Sequence, residues 1–129
     1  MTTRGRLQVA VALVVAALLP LGSVPTPANA AAVPAVSAIV VGGYQYSCAI
    51  TSAGVKCWGN NTYGQFGNGT TTGSTLPVPV LGLANGAAAI SAGGVHPCVV
   101  TTAGGVKCWG VSGYYGALGN GTGTDSTIP

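Results

Sequence analysis

Apolar residues follow two different patterns along the chain. Between residues 7 and 19 they form one run that only Gln8 interrupts, and Pro20 ends it. From about residue 38 onward they form short runs rich in Val, Ile, Thr and aromatic residues, separated by clusters of glycine. Short runs between turn residues are typical of β-strands, and no helical period of 3.6 residues persists after the first thirty residues. We therefore expect an all-β protein preceded by an apolar leader.

A unit of about fifty residues occurs twice in the chain. GVKCWG at 54–59 returns at 105–110, an offset of 51 residues. Two more blocks recur in the same order: YGQFGNGT at 63–70 as YGALGNGT at 115–122, and STLP at 74–77 as STIP at 126–129. The second copy stops there, whereas the first continues with Val78. We therefore expect about two repeats, of which the second is truncated.

The apolar runs predict strands at matching places in the two copies. The predicted strands lie at 38–41, 46–51, 55–59 and 76–80 in the first copy and at 87–91, 96–101 and 106–110 in the second. Gly59 and Gly110 follow the third strand of each copy and allow the chain to turn sharply. Six glycines of the recurring loop blocks are expected to have positive φ: Gly64, Gly67, Gly69, Gly116, Gly119 and Gly121.

The first thirty residues have the layout of a secretory signal peptide. Arg4 and Arg6 form a short basic region, the apolar run follows, and Ala28-Asn29-Ala30 is a small-x-small cleavage site. The apolar run is shorter than the ~20 residues that a spanning helix needs, which disfavours an uncleaved membrane anchor. We therefore predict cleavage after Ala30, an extracellular location and no membrane attachment of the mature protein.

Cleavage would leave a nearly uncharged protein in which 31–38 is a flexible lead-in and 39–129 is the repeat region. The whole chain has a formal net charge of +3 and only 4% charged residues. Both arginines lie in the leader, so the mature part keeps two lysines against one aspartate, a charge of +1. Binding to nucleic acid depends on many contacts of Lys and Arg with phosphates, so we predict no nucleic-acid partner.

Four cysteines occupy equivalent places in the two copies. If each segment between them folds as a hairpin, Cys48 faces Cys57 and Cys98 faces Cys108. Facing residues lie about 4.5–5.5 Å apart between Cα atoms, which a disulfide accepts, and an exported protein meets an oxidising compartment. We predict these two disulfides, with free thiols as the main alternative. The cysteine spacings differ from those of zinc sites, so we predict no metal and no cofactor.

Trp58 and Trp109 each follow the second cysteine of their hairpin. Because adjacent side chains on a strand point to opposite faces, each indole lies on the face away from the disulfide. We predict that both are structural aromatics that pack against a neighbouring sheet. An aromatic platform for a ligand is the alternative.

These motifs in this order resemble the regulator-of-chromosome-condensation repeat. The resemblance rests on GVKCWG, YGQFGNGT and STLP, and the stretch His96-Pro97-Cys98-Val99-Val100 is similar to the family's secreted bacterial branch. The first copy departs there, since Tyr46 occupies the place of His96. The resemblance implies four-stranded blades around an axis, usually seven in a ring, so two repeats make about two blades of an incomplete β-propeller. A truncated product, a piece of a longer protein and an assembly of several copies all agree with it.

Few side chains could carry catalysis. His96 is the single histidine and Asp125 the single side-chain carboxylate, and no catalytic motif accompanies them. We predict that His96 hydrogen-bonds to a neighbouring turn and that Asp125 bonds to the backbone of its own turn. Glycosylation sequons begin at Asn60, Asn68 and Asn120, but we favour roles in turns for these residues. We therefore predict no catalytic residues and no enzymatic activity.

The sequence predicts a secreted, non-enzymatic binding module that presents loops to a protein or cell-surface partner of unknown identity. Rigid blades closed by disulfides hold loops in fixed positions, where binding sites are common. A structural or remnant product without activity of its own remains an alternative, and an accessory part of a secreted hydrolase is a weaker one. Open blade faces also predict self-association and marginal stability.

Overall fold

The computed structural model describes residues 34–129, and the leader predicted at 1–30 lies outside this range. The described residues form seven strands: β1 (Val36–Gly42), β2 (Tyr46–Thr51), β3 (Gly54–Gly59), β4 (Ser74–Pro79), β5 (Ala87–Ala92), β6 (Pro97–Thr101) and β7 (Val106–Cys108). The prediction of an all-β protein is confirmed. No helix in this range is long and apolar enough to cross a membrane.

The strands form two antiparallel sheets, one for each copy of the repeat. The first sheet has the order β1-β2-β3-β4 and the second the order β5-β6-β7. Consecutive strands are neighbours, and short turns join most of them. A longer loop, residues 60–73, joins β3 to β4. We call the first sheet with its loops blade 1 and the second with its loops blade 2.

Most strand ends lie within one or two residues of the predicted ones, and two of the differences have a structural cause. β1 begins at Val36, so the end of the predicted lead-in already belongs to a strand, and the Ser52 N–H donates to the Ala35 carbonyl at 2.9 Å. β7 ends at Cys108 rather than at residue 110, because Gly110 forms an isolated bridge with Ser126. This bridge is the equivalent of the pairing between Gly59 of β3 and Ser74 of β4 in blade 1.

The hairpins have the register that the cysteine spacing predicts. In the β2–β3 hairpin Cys48 lies opposite Cys57, with their Cα atoms 4.1 Å apart, and a disulfide joins them. In the β6–β7 hairpin Cys98 lies opposite Cys108 at 4.2 Å, again with a disulfide. Both cross-links therefore join neighbouring strands within one blade, and none joins the two blades.

The hydrophobic core lies between the two blades. Its buried members are Tyr46, Cys48, Ile50, Val55, Cys57, Phe66, Val80, Leu83, Val99 and Trp109. All except Val99 and Trp109 come from the first copy, so blade 1 contributes most of the apolar surface and blade 2 covers it. Side chains alternate across a sheet, so the disulfide and the tryptophan of a blade lie on opposite faces. Blade 1 contributes its disulfide face to the core, and blade 2 contributes its tryptophan face.

Glycine is required where the chain leaves the third strand of each blade. Gly59 and Gly110 have φ values of 102° and 95°. A Cβ at Gly110 would collide with the Val95 carbonyl oxygen, and one at Gly59 with that of Gln45. The six loop glycines predicted to have positive φ all do, with values between 63° and 79°.

Candidate protein-interaction surfaces

Trp109 fills the contact between the two blades. It follows Cys108 at the end of β7, and its side chain is fully buried. Its Nε1 donates to the Gln65 carbonyl at 2.8 Å, and a Cβ added to Gly67 would lie 2.7 Å from that nitrogen. Gln65 and Gly67, which we call the indole socket of blade 1, are therefore shaped to receive a flat aromatic ring.

Further hydrogen bonds fix blade 2 against blade 1. The Tyr46 hydroxyl donates to the Gly93 carbonyl at 3.1 Å, and the Tyr44 N–H donates to the Gly94 carbonyl at 3.1 Å. Burial raises the pKa of Tyr46 to about 12, so this phenol stays neutral and remains a donor at physiological pH. The β1–β2 turn of blade 1 is thus joined to the β5–β6 turn of blade 2.

Trp58, the counterpart of Trp109, lies on an open face of blade 1. It is half-buried in an apolar depression lined by Val36, Ile39, Ala49 and Pro77. Within residues 34–129 no second sheet covers this face, although a covering sheet was expected for both indoles. The difference arises because Trp109 has blade 1 beside it, whereas Trp58 belongs to the outer side of that blade.

Four tyrosines are exposed at one edge of the two blades: Tyr44, Tyr63, Tyr114 and Tyr115. Tyr44 lies in the β1–β2 turn and Tyr63 in the β3–β4 loop, with ring centroids 5.8 Å apart and planes at 86°. Tyr114 and Tyr115 lie in the equivalent loop after β7. We call these four side chains the tyrosine edge.

Backbone hydrogen bonds place the two loops of the tyrosine edge on the same side. The Asn60 N–H donates to the Gln45 carbonyl, and the Val111 N–H donates to the Val95 carbonyl. Each loop therefore begins beside the first turn of its own blade. Because those two turns are themselves hydrogen-bonded, both loops extend from one edge of the double sheet.

A buried asparagine organises the loop of blade 1. Asn61 Oδ1 accepts from the Phe66 N–H at 2.8 Å, and its Nδ2 donates to the carbonyls of Thr70 and Thr72 at 2.9 and 3.1 Å. One side chain thus ties the start of the loop to its middle and its end. Sequence reasoning assigned a role to Asn60 and missed Asn61, although its place two residues after Gly59 is a signal for a turn.

Ser112 and Asp125 share the equivalent task in blade 2. The Ser112 hydroxyl donates to the Thr122 carbonyl at 3.1 Å, and Asp125 Oδ1 accepts from the Ser112 N–H at 2.8 Å. The prediction that Asp125 bonds within its own turn is therefore wrong, because its acceptor reaches back across the loop to residue 112. Asp125 nonetheless has a structural role, because it accepts a hydrogen bond from a backbone N–H.

The remaining polar residues that the sequence singled out are engaged in turns. The ring of His96 lies against Gly93, and the hydrogen bond to that turn uses the His96 carbonyl, which accepts from the Gly93 N–H at 3.1 Å. The side-chain oxygens of Asn60, Asn68 and Asn120 each accept from the N–H two residues later. Among residues 34–129 no group of three His, Cys, Asp or Glu side chains could hold a metal ion.

Two sequence profiles of the Regulator of chromosome condensation (RCC1) repeat match the chain, one over residues 55–100 and the other over residues 36–65. This chain belongs to the RCC1 repeat family. The match at 55–100 begins in β3 of blade 1 and ends in β6 of blade 2. The RCC1 repeat, as a unit of sequence, therefore crosses the boundary between two blades.

Among curated proteins, the RCC1-repeat region is similar to the probable E3 ubiquitin-protein ligase HERC4. The human protein is 37% identical over 92 residues, which cover 67% of this chain and 8% of that protein. The rat protein is 36% identical over the same length, with the same shares. The chain thus spans only a small part of the curated relatives that it matches.

Solved RCC1-type structures share the fold. Yeast RCC1 (Prp20) bound to Kap60 matches with a TM-score of 0.63 and 17% identity, over 81% of this chain and 25% of that one. Human WBSCR16 matches with a TM-score of 0.63 and 23% identity, over 74% of this chain and 25% of that one. The two blades therefore correspond to about a quarter of these β-propellers, an architecture that suits protein interaction.

Proposed function

We propose that this RCC1-repeat chain is a secreted, non-enzymatic protein-binding module, and that the tyrosine edge contacts the partner. The observation that carries the proposal is the gathering of four exposed tyrosines on one edge of a two-blade scaffold. Tyr114 and Tyr115 are fully exposed, so their rings contact nothing that would explain their position. Tyrosine is enriched in protein interfaces and among the residues that dominate binding energy.

The loops that carry these tyrosines suit binding because hydrogen bonds from their own side chains keep them ordered. Asn61 fixes one loop and the pair of Ser112 and Asp125 fixes the other. A loop that is already ordered loses little conformational entropy when a partner binds. A tyrosine side chain adds a large contact area for only two rotatable bonds.

The partner is expected to be a protein rather than a nucleic acid. Residues 34–129 carry two lysines and one aspartate, which leaves no basic patch for phosphates. Among the structural relatives, yeast RCC1 is seen with Kap60, and a second structure of Prp20p was described with its binding to Gsp1p and histones. Those partners are proteins, and they support the class of partner without naming the one that binds here.

Export is supported by the leader layout and by the cysteines. Two disulfides within hairpins suit an oxidising compartment. The intact mass of the protein recovered from culture medium tests this part directly. We expect a species that begins at Ala31 and carries four oxidised cysteines, whereas a retained leader or a cytoplasmic product would contradict export.

Site-specific photo-crosslinking in the source organism tests the binding edge. A photoreactive amino acid is placed at Tyr63 or Tyr114, and at Ala53 or Ala103 as matched exposed positions in the turns of the opposite edge. We expect discrete crosslinked protein bands from the tyrosine edge alone.

Replacing the remaining tyrosines by serine should remove those bands. Bands of equal strength from both edges, or none from the tyrosine edge, would contradict the proposal. The second of these results would favour a structural product without binding activity of its own, in which the open face at Trp58 is the relevant feature.

A further inference from the structure

The open face of blade 1 shares an isoleucine and a tryptophan with the face by which blade 2 is docked. Ile39 and Trp58 on the open face correspond to Ile90 and Trp109, at an offset of 51 residues. Trp109 is fully buried in the contact between the blades, and Ile90 packs against the core. Ile39, in contrast, is 61% exposed, and Trp58 is half-buried. The open face of blade 1 is thus equivalent to the face by which blade 2 contacts blade 1.

The outer face of blade 2 is the matching counterpart. Val55, in the covered face of blade 1, is 1% exposed, whereas its equivalent Val106 is 66% exposed. Ile50 is buried, whereas its equivalent Val100 is exposed. The Cys98–Cys108 disulfide lies half-open on this side of blade 2. This face therefore has the residues of a docking face but no blade on it within residues 34–129.

The indole socket is also repeated, and the second socket is open. Gln65 and Gly67 are buried beneath Trp109, whereas their equivalents Ala117 and Gly119 are exposed. A Cβ added to Gly119 would meet no atom within 4 Å, while one added to Gly67 would collide with the Trp109 ring. One chain therefore carries a half-buried tryptophan on a face without a second sheet at one end, and an exposed socket at the other.

We propose that two copies of this chain associate head to tail, with blade 1 of one copy docked on blade 2 of the next. The contact repeats the internal one, so that Trp58 enters the socket at Ala117 and Gly119 of the second copy. Its Nε1 then donates to the Ala117 carbonyl, as the Trp109 Nε1 donates to the Gln65 carbonyl within the chain. A second copy is the occupant because the internal contact shows which surface covers each face.

Charge does not oppose this contact. Lys56 lies on the open face of blade 1, and its equivalent Lys107 is exposed beside the existing contact between the blades. A lysine at this place is therefore compatible with a docked blade, since its ammonium group stays in water. The single side-chain carboxylate, Asp125, already accepts a hydrogen bond from the Ser112 N–H.

Head-to-tail association has a defined consequence for the assembly. Such an interface uses two different surfaces, so it gives a ring if the rotation closes and an open filament if it does not. Known β-propellers have about four to eight blades. A chain that supplies two blades therefore closes a ring with about two to four copies.

Two single-face variants test the proposal in the full-length exported protein. Ile39→Lys places a charge on the open face of blade 1, and Val106→Lys places one on the outer face of blade 2. Both side chains are largely exposed in a single copy, so neither change disturbs the fold. Ala53→Lys is the matched control, since this exposed residue lies in the β2–β3 turn and its equivalent Ala103 stays exposed although blade 2 is docked. Disulfide mapping and circular dichroism verify that each variant is folded.

The expected result is a specific pattern of masses in sedimentation equilibrium. The unchanged protein and Ala53→Lys associate, while Ile39→Lys alone and Val106→Lys alone are monomers. An equimolar mixture of the two variants forms a one-to-one dimer and nothing larger, because each contributes its single intact face. Trp58→Ala should weaken the association by about 30-fold or more, the effect of losing a central buried anchor.

Three results would overturn the proposal. The first is an unchanged protein that stays monomeric up to about 100 µM, a concentration at which weak specific contacts form. The second is self-association of either single-face variant, which would indicate a contact between like faces or elsewhere. The third is a mixture that does not form the dimer. None of these results affects crosslinking from the tyrosine edge, so failure here is distinct from failure of the proposed binding function.

Discussion

Blade 1 and blade 2 are built from nearly the same sequence but differ in what covers them. The disulfide of blade 1 is fully buried beneath blade 2, whereas that of blade 2 is half-exposed. The tryptophans show the reverse order, since Trp109 is fully buried and Trp58 is half-buried. Equivalent residues therefore have opposite environments because a blade is covered on only one face in a pair. In a repeat protein, the burial of a residue therefore depends on the neighbouring unit as well as on the sequence of its own repeat.

The loops of the two blades show a second difference. In blade 1 a single buried side chain, Asn61, satisfies the backbone at both ends of the loop. In blade 2 the same task falls to Ser112 together with Asp125. The loop of blade 2 also has an extra residue beside Tyr114, and within the described range of 34–129 no blade packs on its outer side. It is therefore held by fewer contacts and presents its tyrosines more openly.

The largest difference between equivalent positions is expected for the two tryptophans. Trp109→Ala should lower the free energy of unfolding by about 3–5 kcal/mol, because it leaves a cavity in the core and removes the bond to Gln65. Trp58→Ala should cost about 1–2 kcal/mol in the monomer, since this ring is only half-buried. Urea unfolding at low protein concentration measures both. Equal losses would contradict the asymmetric burial of the two blades.

The disulfides should differ less in stability and clearly in reactivity. Each closes a loop of about ten residues, so replacing either pair by alanine should cost about 2.7 kcal/mol by loop-closure entropy. The Cys48–Cys57 pair should cost about 1 kcal/mol more, because its sulfur atoms also fill the core. Timed alkylation under a mild reductant should find free thiols at Cys98 and Cys108 first. Simultaneous reduction of both pairs would contradict the difference in exposure.

The smallest effect concerns the phenol that links the two blades. Because burial raises the pKa of Tyr46 to about 12, the unfolded chain loses this proton more easily than the folded one. The resulting stabilisation is complete below pH about 10 and is lost as the pH rises toward about 12. Tyr46→Phe should remove that pH dependence and cost about 1 kcal/mol at neutral pH, through the bond to Gly93.

The control for this experiment is Tyr44→Phe, which changes an exposed hydroxyl in the adjacent turn. Unfolding free energies of the three proteins are compared between pH about 9 and about 12. A fall in stability of the same size in Tyr46→Phe as in the unchanged protein would show that another group causes it.

Features set by short sequence distances could be predicted from the sequence. The register that brings Cys48 opposite Cys57 follows from the spacing of the cysteines around a glycine turn. The positive φ of Gly67 follows from its place in a turn-rich block. In both cases the partners are close in the chain, so local geometry leaves few alternatives.

Features that depend on distant partners could not be predicted in this way. The environment of Trp58 is decided by the presence or absence of a neighbouring blade, which the residues around it do not encode. The acceptor role of Asp125 toward Ser112 needs the fold of the whole loop. The tyrosine edge was missed because its members come from a turn and two loops that only the joined blades bring together.

The RCC1 repeat at 55–100 begins in one blade and ends in the next. The repeat as a unit of sequence therefore begins 19 residues later than the unit that folds as a sheet, which starts at Val36. Each added repeat would supply the last strands of one sheet and the first strands of the next. The covalent backbone would therefore connect every new sheet to the preceding one. A chain of this kind could gain whole repeats, and each new blade would still share a repeat with its neighbour.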